Sequence, residues 1–226
     1  MVIALITIGG IGTRFKSNVP KQFIQVDNKP ISIYTLEKFQ NNENIDKIIV
    51  ACLKGYEEQV LAYKEEYHIT KLEYIVQGGR TQPESISNCI DKLNGIVSDN
   101  DMIVVHAGNR PLVNNQVIDT GIELCGEKGN AVSYIECPEV VVTKDENRII
   151  ERTNLMRLQT PQIFHYGDIK KAYEYAKSID FEGLSTTADL MIKMGKKLNF
   201  FKGSEYNIKI TYREDLELFK NLINRE

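Results

Sequence analysis

An α/β fold is predicted for this chain, with a mostly parallel sheet, helices on both faces and a protruding β-hairpin arm. Three observations predict it. Short β-branched runs alternate with amphipathic stretches from the first residue, a glycine turn follows the first run directly, and the alternation lapses once, around a polar-tipped pair of short apolar runs.

Taken in order, Val2–Thr7, Lys47–Cys52, Leu72–Val76 and Met102–His106 are short, apolar and rich in β-branched residues, as strands buried on both faces are. Between them, Ile31–Phe39, Tyr56–Tyr67, Pro83–Leu93 and Asn115–Cys125 place apolar residues at helical spacing. From about Ser133 to Ile150 the pattern breaks. Glu139–Thr143 and Arg148–Glu151 flank the polar stretch Lys144-Asp145-Glu146-Asn147, which predicts a hairpin. Val140 to Val142 need a surface to cover them, either another subunit or the hairpin's own sheet. Helices are predicted again at Ile169–Ala176, Thr187–Met194 and Glu214–Ile223, with a strand at Lys197–Lys202. No repeat or linker divides the chain, so one domain is expected over residues 1–226, with the arm at about 136–155.

The 226 residues suffice for a sizeable core. Hydrophobic residues make up 42% and charged residues 26%, a globular composition. Net charge is −3, which argues against a nucleic-acid polymer as partner but permits a local cationic pocket for small anions. Cys52, Cys89, Cys125 and Cys137 form no C-x-x-C pair, so reduced thiols are expected rather than a zinc site or disulfide frame. Met1-Val-Ile-Ala-Leu-Ile-Thr lacks a basic segment and runs into a glycine turn, and no apolar run reaches membrane-spanning length. A cytoplasmic protein is the expectation.

Chemistry is expected at the carboxyl ends of the strands, where open parallel sheets bind ligands. Gly9-Gly10-Ile11-Gly12-Thr13-Arg14 follows the first strand, and Pro20-Lys21-Gln22 comes soon after. Glycines let backbone N–H groups approach phosphate oxygens, and Arg14 and Lys21 add positive charge. A dinucleotide fingerprint would need glycine at Phe15, and no Lys-Ser/Thr follows for a Walker loop. By itself the turn is equally a tight βα connection.

Further blocks accompany it: Gly78-Gly79-Arg80-Thr81-Gln82-Pro83-Glu84-Ser85, His106-Ala107-Gly108-Asn109-Arg110-Pro111, Arg152, Thr160-Pro161-Gln162, and Asn207-Ile208-Lys209-Ile210-Thr211 before Glu214-Asp215-Leu216. In this order, over nearly the whole chain, they resemble the cytidylyltransferases that act on methylerythritol phosphate and ribitol phosphate. The resemblance implies a Rossmann-like fold of the nucleotide-diphospho-sugar transferase kind. It implies transfer of CMP from CTP to a small polyol- or sugar-phosphate (ribitol, glycerol or methylerythritol phosphate) with release of pyrophosphate, for isoprenoid, teichoic-acid or capsule synthesis.

Residue by residue, the resemblance implies CTP binding by Ile8, Gly9, Gly10, Gly12, Gly79, Arg80, Ser85 and Ala107, with cytosine against Gly79 and Ser85. Arg14, Lys21 and Lys209 are the implied catalytic cations. Arg110, Arg152, Thr160 and Lys209 are implied to bind the acceptor, Arg152 from a neighbouring subunit's arm, which makes a homodimer the expected assembly. The attacking phosphate oxygen is already ionised, so positioning and charge neutralisation carry the reaction. Mg²⁺ is the implied cofactor, held largely by the CTP phosphates. Taken singly, Lys21, Arg14 and Lys209 read as surface cations, Ser85 as part of a first helical turn, and His106 as a packed residue.

Three departures stand out. Ala107 occupies the place of a metal-binding aspartate, Gln82 replaces an arginine beside which Arg80 could compensate, and Ser185-Thr186-Thr187 carries its acid three residues late, at Asp189. Asp189 is the one candidate metal ligand, one helical turn away; a helix cap is its alternative role. A metal held by phosphates, water and Asp189 is one reading. A non-catalytic nucleotide-binding relative is another, and an introduced alanine at 107 is the third.

Overall fold

The computed structural model describes residues 1–10, 15 and 19–224. β1 (Val2–Ile8), β4 (Lys47–Cys52), β5 (Leu72–Gln77) and β6 (Met102–Ala107) form the parallel part of a seven-stranded sheet. β2 (Gln25–Val26) and β3 (Lys29–Pro30) make a separate small ribbon after the first strand. The remaining sheet strands are β7 (Asn130–Glu136), β10 (Met156–His165) and β11 (Phe200–Lys202), and the order is β11-β7-β10-β6-β1-β4-β5. β10 alone runs against its neighbours, antiparallel to both β6 and β7.

Alternation along β1 sends Ala4, Ile6 and Ile8 to one face and Ile3 and Leu5 to the other. On the first face they meet α1 (Ile31–Gln40), α2 (Glu57–Glu66) and α4 (Asn115–Lys128), through Leu36, Phe39, Val60 and Ile118. On the second they meet α3 (Gln82–Lys92), α5 (Tyr166–Ser178) and α6 (Thr187–Lys193), through Ile86, Ile90, Tyr173 and Leu190. Helices therefore cover both faces, as the alternation predicts. A third, smaller core joins Phe15, Val26, Ile31 and Ile210 to Phe219 of α7 (Arg213–Ile223).

Two strands lie where the sequence predicts none. β7 and β10 contain buried Ser133, Gln159 and Gln162, which break the apolar pattern. Each finds a partner in the folded chain: the Ser133 hydroxyl donates to Pro161 O (2.9 Å), the Gln159 amide to Ser204 O (2.9 Å), and the Ala188 N–H donates to Gln162 Oε1 (3.1 Å). Satisfied polar groups can be buried at little cost, so the strands survive their composition. Between Leu158 and Gln162 the β10–β7 register shifts, and the Thr160–Pro161 peptide is cis.

β11 is shorter than the predicted Lys197–Lys202 strand. The arm is present but its paired stretch is brief: β8 (Val141–Val142) and β9 (Ile149–Ile150) form an isolated two-stranded ribbon. Val140 and Ile149 are 66% and 67% exposed, so the arm finds no cover on its own sheet. Among the described residues no helix is long and apolar enough to cross a membrane. All four cysteines are unpaired, and burial pushes the Cys52 and Cys125 thiols up to about 12.

Candidate nucleotide and phosphate site

The carboxyl ends of β1, β5 and β6 open onto a cleft of about 300 Å³. Parallel registry explains why distant blocks meet here: Thr7 is level with Ala51 of β4 and with Ala107 of β6. Ile8, Gly9, Gly10, Lys21, Gly79, Arg80, Ser85, Ala107 and Lys209 all line the cleft. Gly12 and Arg14 lie outside the described residues.

The glycine turn is held from behind by Gln22. Its side-chain amide donates to Ile8 O (2.6 Å) and Gly10 O (2.9 Å), and it is only 2% exposed. Gln22 sits in the 3₁₀ turn Lys21–Phe23, so the same short element supports the turn and presents Lys21 to the cleft.

Packed against Gly9, Gly78 donates its N–H to Cys52 O (2.6 Å), tying the second glycine block to β4. A Cβ at Gly79 would come within 2.4 Å of Glu84 Cγ, so glycine is required there by close packing. Thr81 caps α3 by accepting from Glu84 N (3.2 Å). The Ser85 hydroxyl accepts from Gly79 N (3.0 Å) and donates to Thr81 O (2.8 Å). That arrangement gives Ser85 a part in shaping the turn, beyond the cytosine contact the resemblance implies. Arg80 turns its guanidinium to Glu84 (3.0 Å) and Asp180 (2.8 Å), and these carboxylates raise its pKa.

At β6, His106 is fully buried against Phe39, with ring centroids 5.0 Å apart, and its Nε2 faces Arg110 O (3.2 Å). Burial drives its pKa down to about 3; the nearby Arg110 charge pushes the same way, against the hydrogen bond. His106 is thus a neutral packed residue at neutral pH. Thr160 stands close by, its hydroxyl accepting from Ala107 N (3.3 Å).

Four predicted residues do not line the cleft: Thr160, placed above, and three more. Arg110 reaches Asn207 O (2.5 Å), and burial lowers its pKa to about 10. Arg152 lies on the arm, donating to Pro138 O (3.1 Å). Asp189 sits in the first turn of α6 instead of lining the cleft: Thr186 caps the helix, its Oγ1 accepting from Asp189 N (3.1 Å), while the Asp189 carboxylate accepts from Ser185 N (3.1 Å) and Lys193 stands 3.6 Å away. Conversely, Thr7, Gln22, Leu53, Thr81, Gln82 and Asn109 line the cleft without having been predicted as site residues. Gln22, Thr81, Gln82 and Asn109 lie inside the sequence blocks quoted above, and that placement is the available signal.

The donor set does not fit a protein-held Mg²⁺. Among the described residues no Asp, Glu, His or Cys lines the cleft, and the sequence Ile-Gly-Thr-Arg-Phe-Lys-Ser-Asn at 11–18 contains none. Among the described residues no group of three such side chains could hold a metal. Mg²⁺ is a hard cation that takes oxygen ligands, commonly one or two carboxylates together with phosphates. What the cleft offers is neutral amides, hydroxyls and cations, suited to anionic oxygen atoms.

Comparison with known proteins points the same way. The family model for 2-C-methyl-D-erythritol 4-phosphate cytidylyltransferase matches residues 2–225. Ribitol-5-phosphate cytidylyltransferase of Lacticaseibacillus paracasei is 36% identical over 226 residues, covering 97% of each chain. The 2-C-methyl-D-erythritol 4-phosphate cytidylyltransferase of Clostridium acetobutylicum is 35% identical over 234 residues, covering 100% of this chain and 98% of its own. Among solved structures, the enzyme of that name from Francisella tularensis superposes with a TM-score of 0.82 at 27% identity, covering 96% of this chain and 97% of the other.

Proposed function

Because the chain belongs to the 2-C-methyl-D-erythritol 4-phosphate cytidylyltransferase family, we propose that it transfers CMP from CTP to ribitol 5-phosphate, releasing pyrophosphate. The observation that carries this reading is the carboxylate-free cleft in which Gly9, Gly10, Lys21 and Lys209 converge. The choice of acceptor is supported by the ribitol-5-phosphate enzymes among the relatives, 32% to 36% identical.

An oxygen of the acceptor phosphate attacks the α-phosphorus of CTP as the bond to the β-phosphate bridging oxygen breaks. The electron pair leaves with pyrophosphate, and no proton moves. Two polyanions must approach, so the protein's task is to neutralise and align them. Lys21, beside the glycine turn, would meet the triphosphate, and Lys209 across the cleft would meet the acceptor phosphate. Thr160 would bind the acceptor near Ala107. A Mg²⁺ ion, if used, would travel on the triphosphate with water as its other ligand.

Homodimerisation is part of the proposal. Arg152 lies on an arm with exposed Val140 and Ile149 and away from its own cleft, which supports delivery to a neighbouring subunit's site. A cytoplasmic reaction is part of the proposal too, supported by the choice of CTP and a phosphorylated polyol as substrates.

The test measures pyrophosphate release from CTP with ribitol 5-phosphate, methylerythritol 4-phosphate and glycerol 3-phosphate. The highest kcat/KM is expected with ribitol 5-phosphate. Preference for another acceptor overturns the substrate assignment, and no release with any acceptor overturns the activity. CTP should also raise the melting temperature more than ATP or GTP; equal shifts would defeat the cytidine assignment.

A further inference from the structure

We propose that Asn109 is a positioning residue for Lys209, clamping the segment that carries this lysine to the end of β6. The inference rests on the role given to Lys209 above.

Residues 203–210 follow β11 without helix or strand, so no ladder of their own fixes them. Within this stretch the exposed Lys209 lies between Asn207 and Ile210, both fully buried. An exposed lysine on irregular backbone would ordinarily sample many positions. Here the backbone is fastened on both sides. The Asn109 side-chain amide donates to Ile210 O (2.7 Å), and Ile210 N donates back to Asn109 O (2.9 Å). One asparagine thus engages both polar groups of residue 210, next to Lys209.

Arg110 secures the other side by donating to Asn207 O (2.5 Å), and the Asn207 amide donates to Thr160 O (2.7 Å). The base of the clamp is itself rigid. Gly108 N donates to Thr7 O (2.9 Å), and Gly108 O accepts from Thr35 Oγ1 (2.9 Å). A Cβ at Gly108 would fall within 2.3 Å of Ile8 Cγ2, so this loop is pressed against the end of β1. The chain that ends β1 and bears the glycine turn is thereby coupled to the chain that bears Lys209. The segments bearing Lys21 and Lys209, which both line the cleft, thus share one support, and Asn109, only 8% exposed, lines the same cleft.

Removing the side-chain donor should let residues 205–212 open while the sheet stays intact. Misplacement of a cationic group by about 1 Å can cost about 100-fold in rate, so a loss of kcat/KM of about 10- to 100-fold is expected. The experiment uses Asn109→Leu and the nearly isosteric Asn109→Asp, whose carboxylate cannot donate to Ile210 O. Hydrogen–deuterium exchange of residues 205–212 and cytidylyl transfer are measured on each, with Lys209→Ala and the double variants alongside. Faster exchange confined to this segment is expected, with a transfer defect that vanishes once Lys209 is already alanine. Exchange equal to the parent's in both variants overturns the clamp. Faster exchange with parental transfer, or a defect of full size in the Lys209→Ala background, overturns the positioning role. Should the parent transfer CMP to no polyol phosphate, the functional reading fails separately, and the exchange result still decides whether the clamp exists.

Discussion

Acidification should destabilise this protein through His106, and the size of the effect can be worked from its surroundings. The imidazole is fully buried, its Nδ1 has no hydrogen-bond partner, and its pKa is held down at about 3. In the unfolded chain it returns to the ordinary value of about 6.5. Between these values the unfolded state binds a proton that the folded state refuses, so stability falls as pH falls. From pH 7 to pH 5 the loss attributable to His106 is about 2 kcal/mol, at 1.36 kcal/mol per pH unit once well below 6.5. With a urea m-value of about 2 kcal/mol/M, the midpoint should drop by about 1 M across that range. The control is His106→Gln, which keeps an amide able to face Arg110 O but does not titrate. The difference between the two proteins' midpoints should therefore shrink or reverse on acidification. Parallel pH profiles for parent and variant would refute the reasoning.

Other perturbations test the cleft and its surroundings. Lys21→Ala should reduce transfer by about 100- to 1,000-fold with an unchanged melting temperature, because its charge acts on the approaching phosphates; near-parental turnover would remove Lys21 from catalysis. Mixing Arg152→Ala chains with Lys21→Ala chains should restore part of the activity, since each mixed dimer assembles one site with both cations. No recovery despite confirmed subunit exchange would place Arg152 outside a shared site. Asp189→Ala should cost about 0.5 to 1 kcal/mol through the lost carboxylate at the start of α6, with the Thr186 cap kept, and leave the Mg²⁺ dependence of transfer unchanged. A changed Mg²⁺ requirement without loss of stability would return Asp189 to the metal.

The parallel half of the sheet was legible because its strands are buried on both faces and so are apolar throughout, as in β4, Lys-Ile-Ile-Val-Ala-Cys. β10 was not, because Gln159, Pro161 and Gln162 interrupt the apolar run a buried strand would show. Their burial depends on partners 26 to 45 residues away, Ala188 and Ser204, which no local pattern reveals. The cleft follows the same division. Lys21, Gly79 and Lys209 carry charge or backbone freedom and stand out in the sequence. Gln22 and Asn109 matter through bonds to backbone carbonyls, and any amide of that size reads alike until the chain is folded. Asp189 reads two ways for a related reason: a carboxylate three residues into a helix serves the helix start as readily as an ion.

The third core has a consequence for the order of events at the ribosome. Phe15, next to the glycine turn, and Ile31 are buried against Ile210 and against Phe219 of the last helix. The N-terminal wall of the cleft therefore lacks its packing partner until residues 210–219 have left the exit tunnel. Strands β1, β4, β5 and β6 can assemble early in synthesis, but the region around Phe15 must wait until that distant segment has been made. A nascent chain would hence carry a formed sheet and an unfinished nucleotide turn. Cytidine nucleotide would gain its full foothold only once that segment has folded back.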